Sequence, residues 1–121
     1  MYKITVYIPS DSLEKVKQAM FDQGAGRFGN YDHCAWQVLG QGQFRPLAQS
    51  NPTLGQEGKL ERVEEYLLEM ICDNAVINPV IEALKQTHPY EKPAYTVIHL
   101  ENNNIDSVSY THLTLPTNRE V

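Results

Sequence analysis

Cysteine, tryptophan and positive charge are all scarce in this chain. Its two cysteines, Cys34 and Cys72, are too few for the framework of a small secreted domain, and neither sits in a CxxC or CxxxH grouping. Both are expected as mostly buried thiols in a reducing compartment. No apolar run approaches the roughly 20 residues of a membrane span, which excludes a membrane role. The stretch Met1-Tyr2-Lys3-Ile4-Thr5-Val6 alternates apolar and polar residues and cannot act as a signal peptide's hydrophobic region, so the expected address is cytoplasmic. Ten Lys and Arg stand against fifteen Asp and Glu, a net charge of -5, and the pI is near 5.3. A surface of that sign repels polyanions, so no nucleic acid is expected as a partner. GxSxG, HExxH and Walker patterns are also missing, and Cys34 lies in no recognisable nucleophile motif; an enzyme is not expected.

What is present suits one soluble domain. At 121 residues, with 41% hydrophobic and 21% charged content, a folded chain buries roughly two-thirds of its unfolded surface and needs no staple. Tyr2, Ile4, Val6 and Ile8 alternate with polar residues as in a strand, ended by Pro9. Asp11 and Glu14 have capping-box spacing ahead of a helix whose apolar stripe is Leu13, Val16 and Met20, with Lys15, Lys17 and Asp22 on the wet side and Gly24 as its stop. Residues 34–47 mix β-prone side chains with Gly40 and Gly42, which predicts a strand that bends or bulges before a second extended piece. Residues 51–58 are a loop. Residues 60–72 fit either a helix stripe (Leu60, Val63, Leu67, Ile71) or a strand, and propensity favours the helix. Val76, Ile77, Val80, Ile81 and Leu84 predict a second helix with Pro79 in its first turn, ended by His88-Pro89. Residues 94–100 read as a strand. If 60–72 is also a strand, the order is βαββαβ, the split unit of ferredoxin-like sheets.

Four groups could carry chemistry. Gly24-Ala25-Gly26-Arg27-Phe28-Gly29 matches GxGxxG but follows a helix instead of a strand and lacks the downstream acid; it reads as a helix stop, or as glycine-rich backbone that binds an anion beside Arg27. His88-Pro89-Tyr90-Glu91-Lys92-Pro93 reads as a rigid approach to the last strand, or as an imidazole and a carboxylate that hold a divalent cation. Asp32, His33 and Cys34 are all metal-ligating types, but on a strand only Asp32 and Cys34 would share a face. Between residues 57 and 73, six acidic residues face two basic ones, a solvated face or a cation-attracting patch. Trp36, Phe44 and Tyr66 are candidates for core or for a subunit contact, because a sheet with helices on one face leaves the other needing cover.

Several of these segments, taken in order, carry a resemblance: Gly24-Ala25-Gly26 with Gly29-Asn30-Tyr31-Asp32, then residues 40–47, then Asn51-Pro52 with Gly55, then His88-Pro89-Tyr90-Glu91-Lys92-Pro93-Ala94-Tyr95. Residues 1–101 resemble the YqfO-type insert domain of the Nif-three-like (Ngg-one-interacting-factor) family, although Lys92 stands where that family more often has Glu. The resemblance implies an α+β, PII/CutA-like version of the ferredoxin-like fold, an antiparallel sheet with two helices on one face, commonly a homotrimer; it thereby makes residues 60–72 a strand. The metal centre of full-length members belongs to a flanking domain and does not carry over. Residues 102–121 fall outside the match and are expected to be a non-native or disordered tail.

The combined expectation is a non-enzymatic, self-associating regulatory or interaction module. Its small-molecule effector would lie between subunits, held by Gly26, Arg27, Asn30, Asp32, Gln43, Arg45, His88, Tyr90 and Glu91. The alternatives are a purely structural oligomerisation module and a metal-binding protein. The one cofactor left open is a divalent metal ion, with His88, Glu91 and His33 as ligands.

Overall fold

A computed structural model describes residues 1–101 of the chain; the expectations for residues 102–121 lie outside the described residues. Four strands and two helices alternate as β1 (Tyr2–Pro9), α1 (Leu13–Asp22), β2 (Trp36–Phe44), β3 (Glu61–Cys72), α2 (Ile77–Thr87) and β4 (Tyr95–His99). The strands form one antiparallel sheet in the order β2-β3-β1-β4. This is the α+β ferredoxin-like arrangement, and residues 60–72 are a strand despite their helical periodicity. Pairing on both sides explains the outcome: β3 bonds β1 from Glu65 to Cys72 and β2 from Glu61 to Glu69, and that tertiary pairing outweighs an intrinsic preference of a few tenths of a kcal/mol per residue.

Alternation along the central strands sorts the side chains. Ile4, Val6 and Ile8 of β1 and Leu68, Met70 and Cys72 of β3 are buried beneath Leu13, Val16 and Met20 of α1 and Val80 and Leu84 of α2. Pro79 sits in the first turn of α2, where its missing N–H costs nothing. Register places Lys3, Thr5 and Tyr7 on the opposite face with Glu69, Leu67, Trp36, Val38 and Ile98. Among them Tyr7, Trp36, Val38 and Ile98 are 44–47% exposed, so that face carries large apolar side chains with no cover from the helices.

Three local expectations need correction. The Asp11/Glu14 capping box does not form; a 3-10 turn at Ser10–Ser12 leads into α1, and Ser12 makes no side-chain cap. Strand β2 neither bends nor bulges, because its pairing with β3 runs unbroken through Gly40 and Gly42. Lys17 is not on the wet side: its ammonium reaches Gln37 of β2 at 2.8 Å and Glu14 at 3.0 Å, which leaves the side chain only 16% exposed.

After α1 the chain turns at Gly24 and crosses to the end of β3, where the Gly26 amide donates to the Ile71 carbonyl at 2.9 Å and the Cys34 amide to the Gly26 carbonyl at 2.8 Å. Gly26 has φ +80°, and a Cβ there would lie 2.7 Å from the Phe21 ring and 2.8 Å from the Cys34 carbonyl. Gly26→Ala is therefore expected to cost about 2 kcal/mol or more in urea unfolding, whereas Gly29→Ala, at φ +59° with nothing within 4 Å, costs roughly 1 kcal/mol.

Candidate functional site

Residues 88–94 leave α2 through an extended His88 and then bend over residues 89–92, with Pro89 and Pro93 restricting the backbone. His88 anchors it. The His88 imidazole is 6% exposed; Nε2 lies 2.7 Å from the Tyr7 carbonyl, and Nδ1 accepts from the Tyr90 amide at 3.1 Å. An N–H donor at Nδ1 and a carbonyl at Nε2 fix the neutral tautomer protonated on Nε2. Burial, only partly offset by the Tyr7 carbonyl and Glu65, lowers the imidazole's pKa. The Tyr7 amide in turn donates to the Ala94 carbonyl at 3.1 Å, so the segment is laced to β1 at both ends.

The loop after β2 is tied to this segment from the other side. The Asn51 amide donates to the Glu91 carboxylate at 3.1 Å, and the Thr53 hydroxyl donates to the Pro89 carbonyl at 2.8 Å. Between loop, segment and sheet lies a cleft of about 670 Å³. Phe44, Pro46, Leu47 and Leu54 give it apolar walls, Tyr7, Glu65 and Tyr90 line the sheet side, and Gln43, Arg45, Glu91 and Lys92 complete it. The Phe44 and Tyr90 rings are 6.2 Å apart at 53°. Among the described residues the Tyr90 hydroxyl is buried without a partner at hydrogen-bonding geometry, yet burial and the neighbouring Glu65 carboxylate push its pKa up to about 12.

Within one protomer the nine anticipated ligand-binding residues divide into two groups. Gln43, Arg45, Tyr90 and Glu91 line the cleft; His88 lies behind it as its anchor. Gly26, Arg27, Asn30 and Asp32 sit at the far end of β3: Gly26 bonds Ile71, whereas Gln43 pairs with Arg62, a separation of roughly 30 Å along the strand. His33 belongs to that far group. It is not on a strand; its φ is +54°, its Nδ1 lies 3.2 Å from the Asp32 carboxylate, and its ring packs at a tilt against Phe21. The suggested metal ligands His88, Glu91 and His33 are thus not gathered in one protomer, both His88 nitrogens are committed to backbone, and among the described residues no three His, Cys, Asp or Glu side chains form a group.

Sequence reasoning missed Tyr7, Glu65 and the anchoring residues Asn51 and Thr53. The signal for Glu65 was the pair of glycines on β2: a glycine inside a strand marks the close approach of another group as well as a bulge. A Cβ at Gly42 would lie 2.1 Å from the Glu65 Oε1, so that carboxylate rests on the Gly42 backbone.

The sheet order, the helices on one face and the cleft at the open end of the sheet define a PII/CutA-like fold. CutA1 from Pyrococcus horikoshii superposes with a TM-score of 0.62 over 89% of this chain and 91% of that one, at 21% identity. Homology extends further to one family: a Bacillus cereus protein related to NIF3 is 40% identical, with a TM-score of 0.70, over 84% of this chain and 26% of that one. The GTP cyclohydrolase 1 type 2 homolog of Halalkalibacterium halodurans is 36% identical over 116 residues, 93% of this chain and 31% of that protein. The chain therefore spans less than a third of the length of these relatives and is homologous to one segment of them. No protein-family model matches it. Among the described residues, no helix is long and apolar enough to cross a membrane.

The neutral His88 sets a pH dependence. Its folded pKa lies below the unfolded value, so the unfolded chain takes up the proton first, and stability present above about pH 6.5 falls as the pH drops below it. The urea midpoint is expected to decline from pH 7.5 to pH 5.5. His88→Gln, destabilised by roughly 1–3 kcal/mol because the Tyr7 carbonyl and Tyr90 amide lose their partner, should show a smaller decline.

Proposed function

We propose that this chain is a non-catalytic, self-associating binding module of the YqfO-insert type that holds a small effector in the cleft between the residue 45–54 loop and residues 90–94. The observation that carries this reading is the cleft itself: apolar walls with a few convergent polar groups are the usual make-up of a small-molecule site. Among the described residues no histidine or cysteine lines it to serve as nucleophile or as base for the Ser50 hydroxyl, and the Thr53 hydroxyl is spent on the Pro89 carbonyl, which favours binding over nucleophilic chemistry. The full-length relatives' activity is not part of the proposal, because this chain matches only a segment of them.

Self-association is proposed through the open sheet face, as the homotrimer that the PII/CutA resemblance implies. Four large side chains on that face are nearly half exposed, more apolar surface than a solvated sheet face ordinarily carries. Light scattering should give about three times the 13.8 kDa chain mass, and Val38→Glu, which sets a charge opposite Leu67 on that face, should shift the protein to single chains while circular dichroism is unchanged. A monomeric parent protein would reject the assembly.

Thermal-shift measurements with nucleotides, organic amines, organic acids and divalent metals address the cleft. A ligand at 100 times its Kd adds about 2.7 kcal/mol and should raise Tm by several degrees. A purely structural oligomerisation module would give no shift with any of them, and a shift with metals alone, retained in Tyr90→Phe but lost in His88→Gln, would favour the divalent-metal reading.

A further inference from the structure

The cleft holds two carboxylates, and they differ. Glu91 accepts the Asn51 amide. Glu65 makes no ion pair with any Lys, Arg or His among the described residues; the Ser10 hydroxyl beside it goes to Glu64 instead. The group that faces Glu65 is the Tyr90 hydroxyl. A carboxylate offers about four acceptor positions, so most of those on Glu65 are not taken up by the described residues. Its placement is built into the sheet: Glu65 pairs with Gly40, and its carboxylate lies across Gly42, where a side chain would displace it.

Around this carboxylate the walls are aromatic and apolar, from Phe44, Tyr90, Tyr7 and Pro46. A half-buried anion beside aromatic faces suits an organic cation, which gains charge-assisted hydrogen bonds from the carboxylate and quadrupole attraction from the rings. The competing feature is the pair of rim cations, Arg45 and Lys92. Both are exposed, and exposed charges are screened by water and salt far more than the partly buried Glu65. Charge at the sheet side of the cleft therefore decides the ligand's reacting edge, and the rim tolerates an acidic substituent without requiring one.

We infer that the cleft recognises an organic amine or amidine on a flat apolar body, its N–H donors directed at Glu65 and its body against Phe44 and Tyr90. This rests on the small-ligand reading above and specifies its chemistry. The test is calorimetric titration of the full chain with three probes of one shape: benzamidine, benzamide and benzoate. Benzamidine should bind at least about tenfold more tightly than either of the others. Glu65→Gln, which removes the charge, and Gly42→Ala, which keeps it but moves it aside, should each weaken benzamidine about fivefold or more and leave benzamide unchanged. Because the atom that meets the Gly42 Cβ is the far end of a flexible side chain, Gly42→Ala keeps the test open if Glu65→Gln fails to fold. Equal or tighter binding of benzoate, or benzamidine binding that neither variant weakens, overturns the amine inference and leaves the small-ligand module standing. Absence of binding by all three overturns the inference too, while the module reading is then judged by the broader thermal-shift panel.

Discussion

The mismatch in length between β3 and its neighbour β1 is the constraint on which the rest of the molecule depends. Strand β3 has twelve residues and β1 eight; β1 ends at Pro9, opposite Glu65, and leaves Glu61 to Glu64 paired with β2 alone. Proline suits that last position because it has no amide to offer the next ladder bond. The β2–β3 hairpin thus projects past the helix-covered core. The step it creates is filled from two directions, by the loop that closes the hairpin and by the chain returning from α2 to β4. The cleft is the space those two segments leave between them, so its position follows from strand register before any side chain in it is considered.

His88 converts that space into a defined shape. A peptide segment that crosses the end of a sheet needs partners for its polar backbone groups, and one neutral imidazole supplies two, accepting from Tyr90 and donating to Tyr7. The prolines on either side of the segment restrict its backbone further. Tyr90 is positioned by the backbone bond it makes to His88, and burial beside Glu65 keeps its hydroxyl protonated. The His88 imidazole therefore braces the segment and fixes where Tyr90 stands.

How much of this was legible in the sequence differed by scale. Alternation in residues 2–8 and the stripes of α1 and α2 gave those elements and their buried faces directly, since Ile4, Val6, Ile8, Leu13, Val16, Met20, Val80 and Leu84 are all in the core. Strand β3 was not legible from its own residues. Leucines and glutamates at helical spacing say helix unless the partners on both sides are known, and those partners lie about 60 residues earlier and 25 residues earlier along the chain. The family resemblance supplied the strand where periodicity could not. At the site, Gln43, Arg45, Tyr90 and Glu91 lie together within one protomer, whereas Gly26 to Asp32 lie at the opposite end of β3; proximity between distant segments is set by register, which a single sequence does not encode locally. Glu65 was hidden because it reads as one more acid in a charged run, and the glycines that make room for it read equally well as a bulge.

The open sheet face and the cleft are continuous, and this constrains what each can be. Tyr7 and Glu65 lie on the face opposite the core, together with Trp36, Val38 and Leu67, and Tyr7 and Glu65 also line the cleft. Anything that covers the apolar face in the proposed assembly runs up to the edge of the cleft and lowers the dielectric around Glu65, which strengthens a hydrogen-bonded charge pair and penalises an unpaired carboxylate. Assembly would then raise the demand for a donor at Glu65. A carboxylate left facing a single tyrosine hydroxyl is tolerable at a solvated rim and costly under a partner subunit, so in the proposed assembly Glu65 would require a hydrogen-bond donor, from a ligand or from the covering subunit.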